Sequence, residues 1–386
     1  MLKYFQRYTN TTRFIPEIDG LRFFAIITVV VFHLNTTFSE ISSTDWRLEL
    51  GMDHPLYAGW WIVRLDLGVK VFFAISGFIL AIPFLKHFLF QEKKVALGDY
   101  FYRRLTRLEP PFILSLVGFY GVHVFVLGEN AGDLFPAFMA GLFYLHAFVF
   151  GVPSIINPVT WSLETEAQFY VLIPLFFLLF AVMKKKWFAI GFLIAIAALS
   201  FYWKSAILNG GPANLKYSIL IYISNFITGI FFGWIYLKYP AFIQRKNLIW
   251  DATGLIAVFL LFYFYKPQAY WLNNFVFNVA TFLIFIAAFK GILSNRFYRL
   301  PLVYTLGGMC YTIYLLHYAL LHLLVKFTSS LAFEGSYLAN LVVQFLLCTP
   351  FLLVVCGVFF LLIEKPCMDK NWPSLALQKA KKLMIN

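Results

Sequence analysis

The amino-acid sequence predicts an all-α polytopic membrane protein with about ten transmembrane helices and one re-entrant or interfacial segment at about 128–163. Of its 386 residues, 61% are hydrophobic and only 13% are charged, with a mean hydropathy of +0.77. A soluble globular protein carries about 45–50% apolar and about 25% charged residues. The net charge of +13 comes from short basic clusters between long apolar runs. This arrangement is typical of helical membrane proteins and argues against nucleic-acid binding.

A crossing helix needs about 20 mostly apolar residues, and ten stretches of the sequence meet this need. In chain order the predicted spans are 21–38, 67–85, 111–127, 165–183, 187–205, 218–237, 248–265, 273–289, 302–325 and 338–363. An eleventh apolar stretch, 135–151, is also hydrophobic enough to cross. It lies in a segment that contains Pro136, Pro153 and Pro158, which suits a broken, non-spanning path.

The distribution of basic residues decides between ten and eleven crossings. With ten, and with a cytoplasmic N-terminus, 24 of the 31 lysines and arginines lie on the cytoplasmic side and 7 on the outer side. An eleventh crossing would move Lys184–Lys186 outside and invert everything that follows. Because cytoplasmic loops are enriched in Lys and Arg, we expect 128–163 to dip into the membrane or lie on it from the outer side. Both termini, the segment 1–20 and the basic tail 364–386, are then cytoplasmic.

No internal repeat and no soluble domain is visible, so residues 1–386 are predicted to form a single domain of the cytoplasmic membrane. The four cysteines form no CxxC pair, which argues against a zinc or redox site, and no metal is expected. Polar residues inside the apolar spans are the candidates for function, because the bilayer makes them costly.

Two ionisable residues lie on one face of the first predicted helix. Arg22 and His33 are eleven residues apart, which is only about 20° beyond three full turns and about 16 Å along the axis. One interpretation is a snorkelling arginine and a packed core histidine. The shared face, with Asp19 at its entrance, favours a functional role. An imidazole exchanges protons near neutral pH, so His33 is a candidate general base.

Three arginines, Arg103, Arg104 and Arg107, precede the prolines that begin the third span. They are either a basic anchor on the cytoplasmic side or a clamp for phosphate. Arg103 and Arg107 are one helical turn apart and share a face. Guanidinium groups offer paired donors to phosphate oxygens, and three arginines in five residues exceed what topology requires.

The entrance of the fourth span carries two carboxylates within the segment Trp161–Tyr170. Glu164 suits the N-terminus of a helix, where the backbone dipole favours negative charge. Glu166 lies further inside the span, so a merely structural role explains it less well.

Two further segments place small or polar residues inside apolar spans. Ser76 and Gly77 lie in the second span, where small side chains are typical of close helix packing. Leu306–His317 places Tyr311 and His317 inside the ninth span.

Taken in chain order, these segments resemble acyltransferase family 3, the integral-membrane acyltransferases that O-acylate carbohydrates and some other acceptors. The matching segments are "IDGLR" with a later His (Ile18–Arg22, His33), "G…FF.ISGF" (Gly68–Phe78), "RR..RL.P" (Arg103–Pro110), "WSL..E..FY…P" (Trp161–Pro174), "LG…Y..YL.H" (Leu306–His317) and "EKP" (Glu364–Pro366). Each motif is short, but the ordered set covers nearly the whole chain.

The resemblance implies an enzyme that moves an acyl group, usually acetyl, from cytoplasmic acyl-CoA to a carbohydrate or glycolipid acceptor that arrives from the outer side. The family's catalytic residues fall on His33, Glu166 and Arg22. His33 either accepts the acyl group or deprotonates the acceptor hydroxyl, and Glu166 orients the imidazole or relays its proton. The residues expected to bind the phosphates of the donor are Arg22, Arg103, Arg104 and Arg107. The residues expected to bind substrate are Asp19, Trp161, Tyr170, Tyr311 and His317.

The chain departs from the family pattern at four positions. Lys70 stands where Asp or another polar residue is usual, and Glu109 stands where an aromatic residue is usual. Ala167 replaces a second Glu of the family pattern, and Cys310 replaces a Ser. These differences limit any inference about substrate preference. Some members carry an esterase-like domain after the last span; here we expect a stand-alone member.

A proton-coupled transporter or a lipid or glycan flippase is the alternative interpretation. It would use the same buried Arg, His and Glu to move an unmodified substrate, with no need for acyl-CoA. The clustered arginines and the lack of two inverted halves, which mark many transporters, favour the acyltransferase.

Overall fold

A computed structural model describes residues 2–7, 14–42, 50–183, 186–265, 271–369 and 371–374. Within these ranges the regular structure is helical and includes no strand, and nine helices are long and apolar enough to cross a membrane. The prediction of an all-α polytopic membrane protein is confirmed. Lys184, Lys185 and most of the predicted basic tail lie outside the described residues.

The described residues form seventeen α-helices. In chain order they are α1 (Pro16–Ser42), α2 (Ala58–Ile62), α3 (Gly68–Phe90), α4 (Leu97–Phe125), α5 (Ala131–Leu142), α6 (His146–Phe150), α7 (Trp161–Val182), α8 (Lys186–Leu208), α9 (Ile219–Lys238), α10 (Pro240–Gln244), α11 (Ile249–Tyr263), α12 (Trp271–Lys290), α13 (Leu293–Tyr298), α14 (Pro301–Gly308), α15 (Cys310–Thr328), α16 (Tyr337–Phe359) and α17 (Lys365–Cys367). A π-helical turn, Phe360–Glu364, joins α16 to α17.

The predicted span 248–265 corresponds to α11, which has only 15 residues. At 1.5 Å per residue it is about 22 Å long, shorter than a hydrocarbon core of about 30 Å. It packs against α12. The Asn247 amide before α11 donates to the Lys290 carbonyl at the end of α12 over 2.9 Å, so the two helices run in opposite directions. By length alone, nine helices of the described ranges are candidate spans. The antiparallel pairing of the shorter α11 with α12 still follows the chain path of the ten predicted crossings.

The predicted span 302–325 is interrupted at Met309, between the end of α14 and the start of α15. The break lies beside a close contact with the first helix. A Cβ atom at Gly307 would lie 1.7 Å from the Asp19 carbonyl oxygen, so only glycine lets α14 approach α1 this closely.

The segment 128–163 contains no helix long enough to cross a membrane. α5 has 12 residues and α6 has 5. Between them, Tyr144 adopts a left-handed φ of 58°, which interrupts the helical path. The apolar stretch 135–151 is therefore not one spanning helix, in agreement with the sequence-based expectation. Its position on the outer side of the membrane remains a prediction.

Close packing at the centre of the bundle brings α3 against α1 and α9. A Cβ atom at Gly77 would lie 2.0 Å from the Phe226 carbonyl oxygen, and one at Gly229 would lie 1.8 Å from the Ala74 carbonyl oxygen. Small residues at such contacts let the backbones of membrane helices touch. Gly77 thus has the packing role that its residue type indicates, and its neighbour Ser76 is left to face a cavity.

Candidate active site

A cavity lies inside the bundle among α1, α3, α4, α7 and α15. Among the described residues, its charged lining consists of Arg7, Arg22, Arg104, Arg107, Glu166 and Glu364. Its other polar lining residues are Ser76, Ser162, Tyr170, Cys310, Tyr311 and Tyr314. Four guanidinium groups face two carboxylates inside a largely apolar bundle, where electrostatic interactions are stronger than in water. The cavity therefore suits an anionic ligand.

Asp19 lies behind two of these arginines and not among the lining residues. Its Oδ1 atom accepts a hydrogen bond from Arg7 Nη1 at 2.8 Å and another from Arg22 Nη1. The Asp19 side chain is only 6% exposed. A buried carboxylate that binds two arginines fixes the direction of their remaining N–H groups. Asp19, predicted to bind substrate, is thus placed to position Arg7 and Arg22, and Arg7 itself had no motif to mark it in the sequence.

Arg104 and Arg107 line the cavity, whereas Arg103 is exposed and does not. Along α4 the directions of Arg104 and Arg107 differ by about 60°, and Arg103 lies a further 40° beyond Arg107. The cavity faces the first two. Their Nε atoms are buried and have no hydrogen-bond partner in the described part of the chain. Leaving a buried donor unpaired costs free energy, so these atoms are suited to bind an incoming anion.

Glu164 and Glu166 have different surroundings, although they are two residues apart. Glu166 lines the cavity and accepts a hydrogen bond from Ser76 Oγ at 2.7 Å. Glu164 is only 3% exposed and accepts from the Ala147 amide at 2.9 Å, which joins α7 to α6. No hydrogen bond among the described residues joins Glu166 to His33, so the structure does not show the predicted contact of Glu166 with that imidazole.

The "EKP" motif brings into the cavity a carboxylate that the sequence left without a role. Glu364 is fully buried, and its Oε2 atom accepts from the Thr312 amide at 3.1 Å and from the Thr312 hydroxyl at 2.5 Å. Its Oε1 atom has no hydrogen-bond partner within the described ranges. Glu364 ends a π-helical turn, a feature that is frequent at functional sites. The sequence signals were the short EKP motif and an ionisable residue at the end of a long apolar run.

Of the three aromatic residues predicted to bind substrate, two line the cavity. The Tyr311 hydroxyl donates to the Leu108 carbonyl at 2.8 Å, which joins α15 to α4. The centroid of the Tyr170 ring lies 5.8 Å from the Arg104 guanidinium carbon. Trp161 does not line the cavity; its ring packs against two tyrosine rings at centroid distances of 5.4 Å.

His33 pairs with a second histidine, which α15 contributes. The Nδ1 atom of His33 lies 2.9 Å from Nε2 of His317. On the far side of its ring, His317 Nδ1 lies 3.1 Å from the Ile313 carbonyl oxygen and 2.9 Å from that of Tyr314. The partner of His33 is thus a histidine and not the predicted Glu166, because α15 packs along α1 while α7 contacts α3.

The cavity and the histidine pair are separated by one side chain. Neither His33 nor His317 lines the cavity, but Tyr314 does, and its ring centroid lies 5.9 Å from that of His317. The Tyr314 hydroxyl lies 2.6 Å from Ser162 Oγ and also donates to the Val159 carbonyl. Tyr314, which is hydrogen-bonded to Ser162, therefore lies between the arginine-lined cavity and the histidine pair.

A side cavity shares part of this lining. It is bordered by Arg104, Tyr170 and Tyr311 together with Glu109 and Tyr144. The Tyr144 hydroxyl donates to Glu109 Oε1 at 3.0 Å. Burial and the neighbouring carboxylate raise the pKa of Tyr144 above its usual value, so the phenol stays protonated and remains a donor. This bond provides a partner for the glutamate that stands where an aromatic residue was expected.

The helical fold and the cationic cavity inside it define a multi-pass membrane protein with an arginine-lined internal cavity. A family model described as an acyltransferase domain matches residues 15–361. The chain therefore belongs to this family, acyltransferase family 3, as its motifs predicted. No solved structure matches the chain.

The chain is also similar to curated proteins named O-acetyltransferase OatA from three strains of Staphylococcus aureus: NCTC 8325 / PS 47, COL and MRSA252. Each is 23% identical over 394 residues, an alignment that covers 96% of this chain and 60% of the relative. The chain thus spans about 60% of the length of the curated relatives that it matches.

Proposed function

We propose that this protein is a membrane O-acyltransferase that moves an acyl group, acetyl first of all, from acyl-CoA to a hydroxyl of a cell-envelope carbohydrate or glycolipid. The observation that carries the proposal is the arrangement of four inward-facing arginines on one side of Tyr314 and a histidine pair on the other. Membership of an acyltransferase family and similarity to proteins named O-acetyltransferases support it.

The phosphates of the donor bind at the arginine end of the cavity. Coenzyme A carries a pyrophosphate and a ribose phosphate, and guanidinium groups bind such oxygens through paired, charge-assisted hydrogen bonds. The unpaired Nε atoms of Arg104 and Arg107 provide donors for this purpose. Arg7 and Arg22 are already held by Asp19, so they lose little freedom when the ligand binds.

The thioester reaches His33 from this cavity by passing Tyr314 and Ser162. Arg22 and His33 lie about 16 Å apart along α1, so an extended pantetheine arm, not the nucleotide, bridges the two positions. Passage requires the contact between the Tyr314 hydroxyl and Ser162 to open.

His33 then acts in one of two ways. As a general base, its Nε2 takes the proton of the acceptor hydroxyl while the hydroxyl oxygen attacks the thioester carbonyl; the C–S bond breaks and the thiolate receives that proton. As an acyl carrier, Nε2 itself attacks the carbonyl and the thiolate leaves; the acceptor hydroxyl then attacks the acyl-imidazole, and its proton goes to the thiolate. Both routes yield an ester and free CoA thiol, and both need an unprotonated Nε2.

The donor enters from the cytoplasm and the acceptor from the outer side of the cytoplasmic membrane. This orientation rests on the excess of Lys and Arg in the loops and the two termini that are assigned to the cytoplasm. The four arginines then lie towards the side from which the donor enters, and the histidine pair lies towards the side from which the acceptor enters.

Mass spectrometry of envelope glycans from cells with and without the protein tests the proposed function. We expect O-acyl esters that depend on the protein and that are lost when His33→Ala replaces the wild type at equal abundance. A transporter or flippase would move its substrate unmodified, so an ester content that is independent of the protein would refute the proposal.

A further inference from the structure

A chain of hydrogen bonds leads from the backbone of α15 through His317 to His33. His317 Nδ1 faces the carbonyl oxygens of Ile313 and Tyr314, and His317 Nε2 faces His33 Nδ1 at 2.9 Å. The two imidazole centroids are 4.9 Å apart and their planes are inclined by 51°. His317 is fully buried.

The chemistry of these atoms assigns the protons. A backbone carbonyl only accepts hydrogen bonds, so the proton between it and His317 must be carried by Nδ1 of the histidine. A neutral imidazole has one N–H group, so His317 Nε2 has a lone pair and accepts. The proton in the contact with His33 therefore belongs to His33 Nδ1. Burial without a neighbouring carboxylate favours the neutral form of an imidazole, and in a neutral His33 that carries its proton on Nδ1 the unprotonated nitrogen is Nε2.

We propose that His317 is a positioning residue that holds His33 in the tautomer with a proton on Nδ1 and a lone pair on Nε2. This inference rests on the proposed function, because either route at His33 requires that lone pair. A neighbouring side chain that fixes the tautomer of a catalytic histidine has a precedent in the carboxylate of serine-protease triads. Here a neutral histidine, itself oriented by two carbonyl groups, performs that task without adding a charge to the bundle.

Aromatic neighbours support the same orientation of the ring. Phe32 and Tyr318 both contact His33 edge-on, with centroid distances of 5.3 Å. These contacts restrict the tilt of the ring, but they cannot select a tautomer. The selection depends on hydrogen-bond acceptors. The Val29 backbone carbonyl also bonds to the His33 ring, and His317 Nε2 is the side-chain acceptor at His33 Nδ1.

This role differs from the binding of substrate that the family resemblance suggested for His317. A side chain that is fully buried and hydrogen-bonded at both nitrogen atoms has no atom left to contact an acceptor sugar. Its replacement is therefore expected to change the turnover number and to leave the Michaelis constants unchanged.

Two substitutions at position 317 test the proposal. His317→Phe keeps a planar ring but removes the acceptor, whereas His317→Gln keeps an oxygen that accepts from His33 and an amide that donates to the carbonyls. We expect His317→Phe to lower kcat about 100-fold, the order of a general-base contribution, with KM for donor and acceptor within about twofold. His317→Gln should recover at least about a tenth of the wild-type kcat.

Nitrogen-15 NMR of histidine-labelled wild-type protein in nanodiscs provides a readout that does not depend on activity. We expect the His33 resonances to show a protonated Nδ1 and an unprotonated Nε2, and this result holds even where His317→Phe fails to fold. A protonated Nε2, a folded His317→Phe with wild-type kcat, or a change in KM alone would overturn the proposal. If His33→Ala is fully active, the proposed function fails instead, whatever tautomer the NMR spectrum shows.

Discussion

The hydroxyl of Ser76 donates to the carboxylate of Glu166 over 2.7 Å, and this bond joins α3 to α7 in the wall of the cavity. Ser76 precedes Gly77, whose backbone touches α9. The polar wall of the cavity and the close packing of the bundle thus depend on consecutive residues of one helix.

Gly77→Ala should destabilise the protein by about 1–3 kcal/mol, the usual cost of forcing a methyl group into a packed interior. The added Cβ would lie 2.0 Å from a backbone oxygen that cannot rotate away. Gly118→Ala in α4 is the matched control, because nothing lies within 4 Å of its Cβ position; it should be neutral or stabilising, since Ala favours helix by about 1 kcal/mol. Thermal unfolding in detergent measures both, and equal midpoints would contradict this packing.

Arg104→Ala and Arg107→Ala should each weaken CoA binding about tenfold or more, because one charge-assisted hydrogen bond contributes about 1.5–3 kcal/mol. Arg103→Ala removes the same charge from the same turn of α4, but its side chain is exposed and outside the cavity. It should change the affinity less than about twofold, the range typical of exposed charges. Calorimetric titration of CoA into the protein in nanodiscs measures all three. An equal loss of CoA affinity in all three variants would show that CoA is attracted to the basic segment in general and does not bind in the cavity.

The family resemblance gives Glu166 a role in proton transfer, so Glu166→Gln should lower the rate of acyl transfer about 100-fold, with thermal stability close to that of the wild type. Glu164→Gln makes the same change two residues earlier, where the side chain accepts from the Ala147 amide and lies outside the cavity lining. A glutamine oxygen still accepts that bond, so activity should remain within a few-fold. Full activity in Glu166→Gln would remove the carboxylate from the mechanism.

The spanning helices could be predicted from the sequence, because a helix that crosses the lipid bilayer needs a long apolar run. The exceptions arise from contacts between helices, which hydropathy does not record. The short helix α11 is paired with its neighbour through Asn247 and Lys290, and the interruption at Met309 follows the contact of Gly307 with Asp19.

The candidate site was predictable only where a motif carries it. Arg22 and Glu166 lie in such motifs and both line the cavity. Arg7 has no motif around it, and its place depends on Asp19 binding two arginines at once. Likewise, the spacing of Arg22 and His33 along α1 does not show which helix packs against that face. The pairing of His33 with His317 of α15 therefore became visible only in the structure.

The segment 128–163 is predicted to face the outside. Single cysteines at Asn130 and Val152, both exposed, should react with an impermeant maleimide added to intact spheroplasts. A cysteine at Lys94, exposed in the connection before α4, should react only after permeabilisation. The wild type, with its largely buried cysteines, gives the background. Labelling of Lys94→Cys from outside, with protection of the other two, would invert the topology and the proposed route of the acceptor.

Transfer of label from acetyl-CoA by purified protein in nanodiscs tests the central claim most directly. With radiolabelled acetyl-CoA and envelope carbohydrate, we expect alkali-labile label in the carbohydrate for the wild type. For His33→Ala we expect a loss of at least about 100-fold, with CoA affinity unchanged because His33 lies outside the arginine-lined cavity. The account would be contradicted if folded His33→Ala transferred label at the wild-type rate. It would also be contradicted if the wild type bound CoA but transferred no label to any of the envelope fractions.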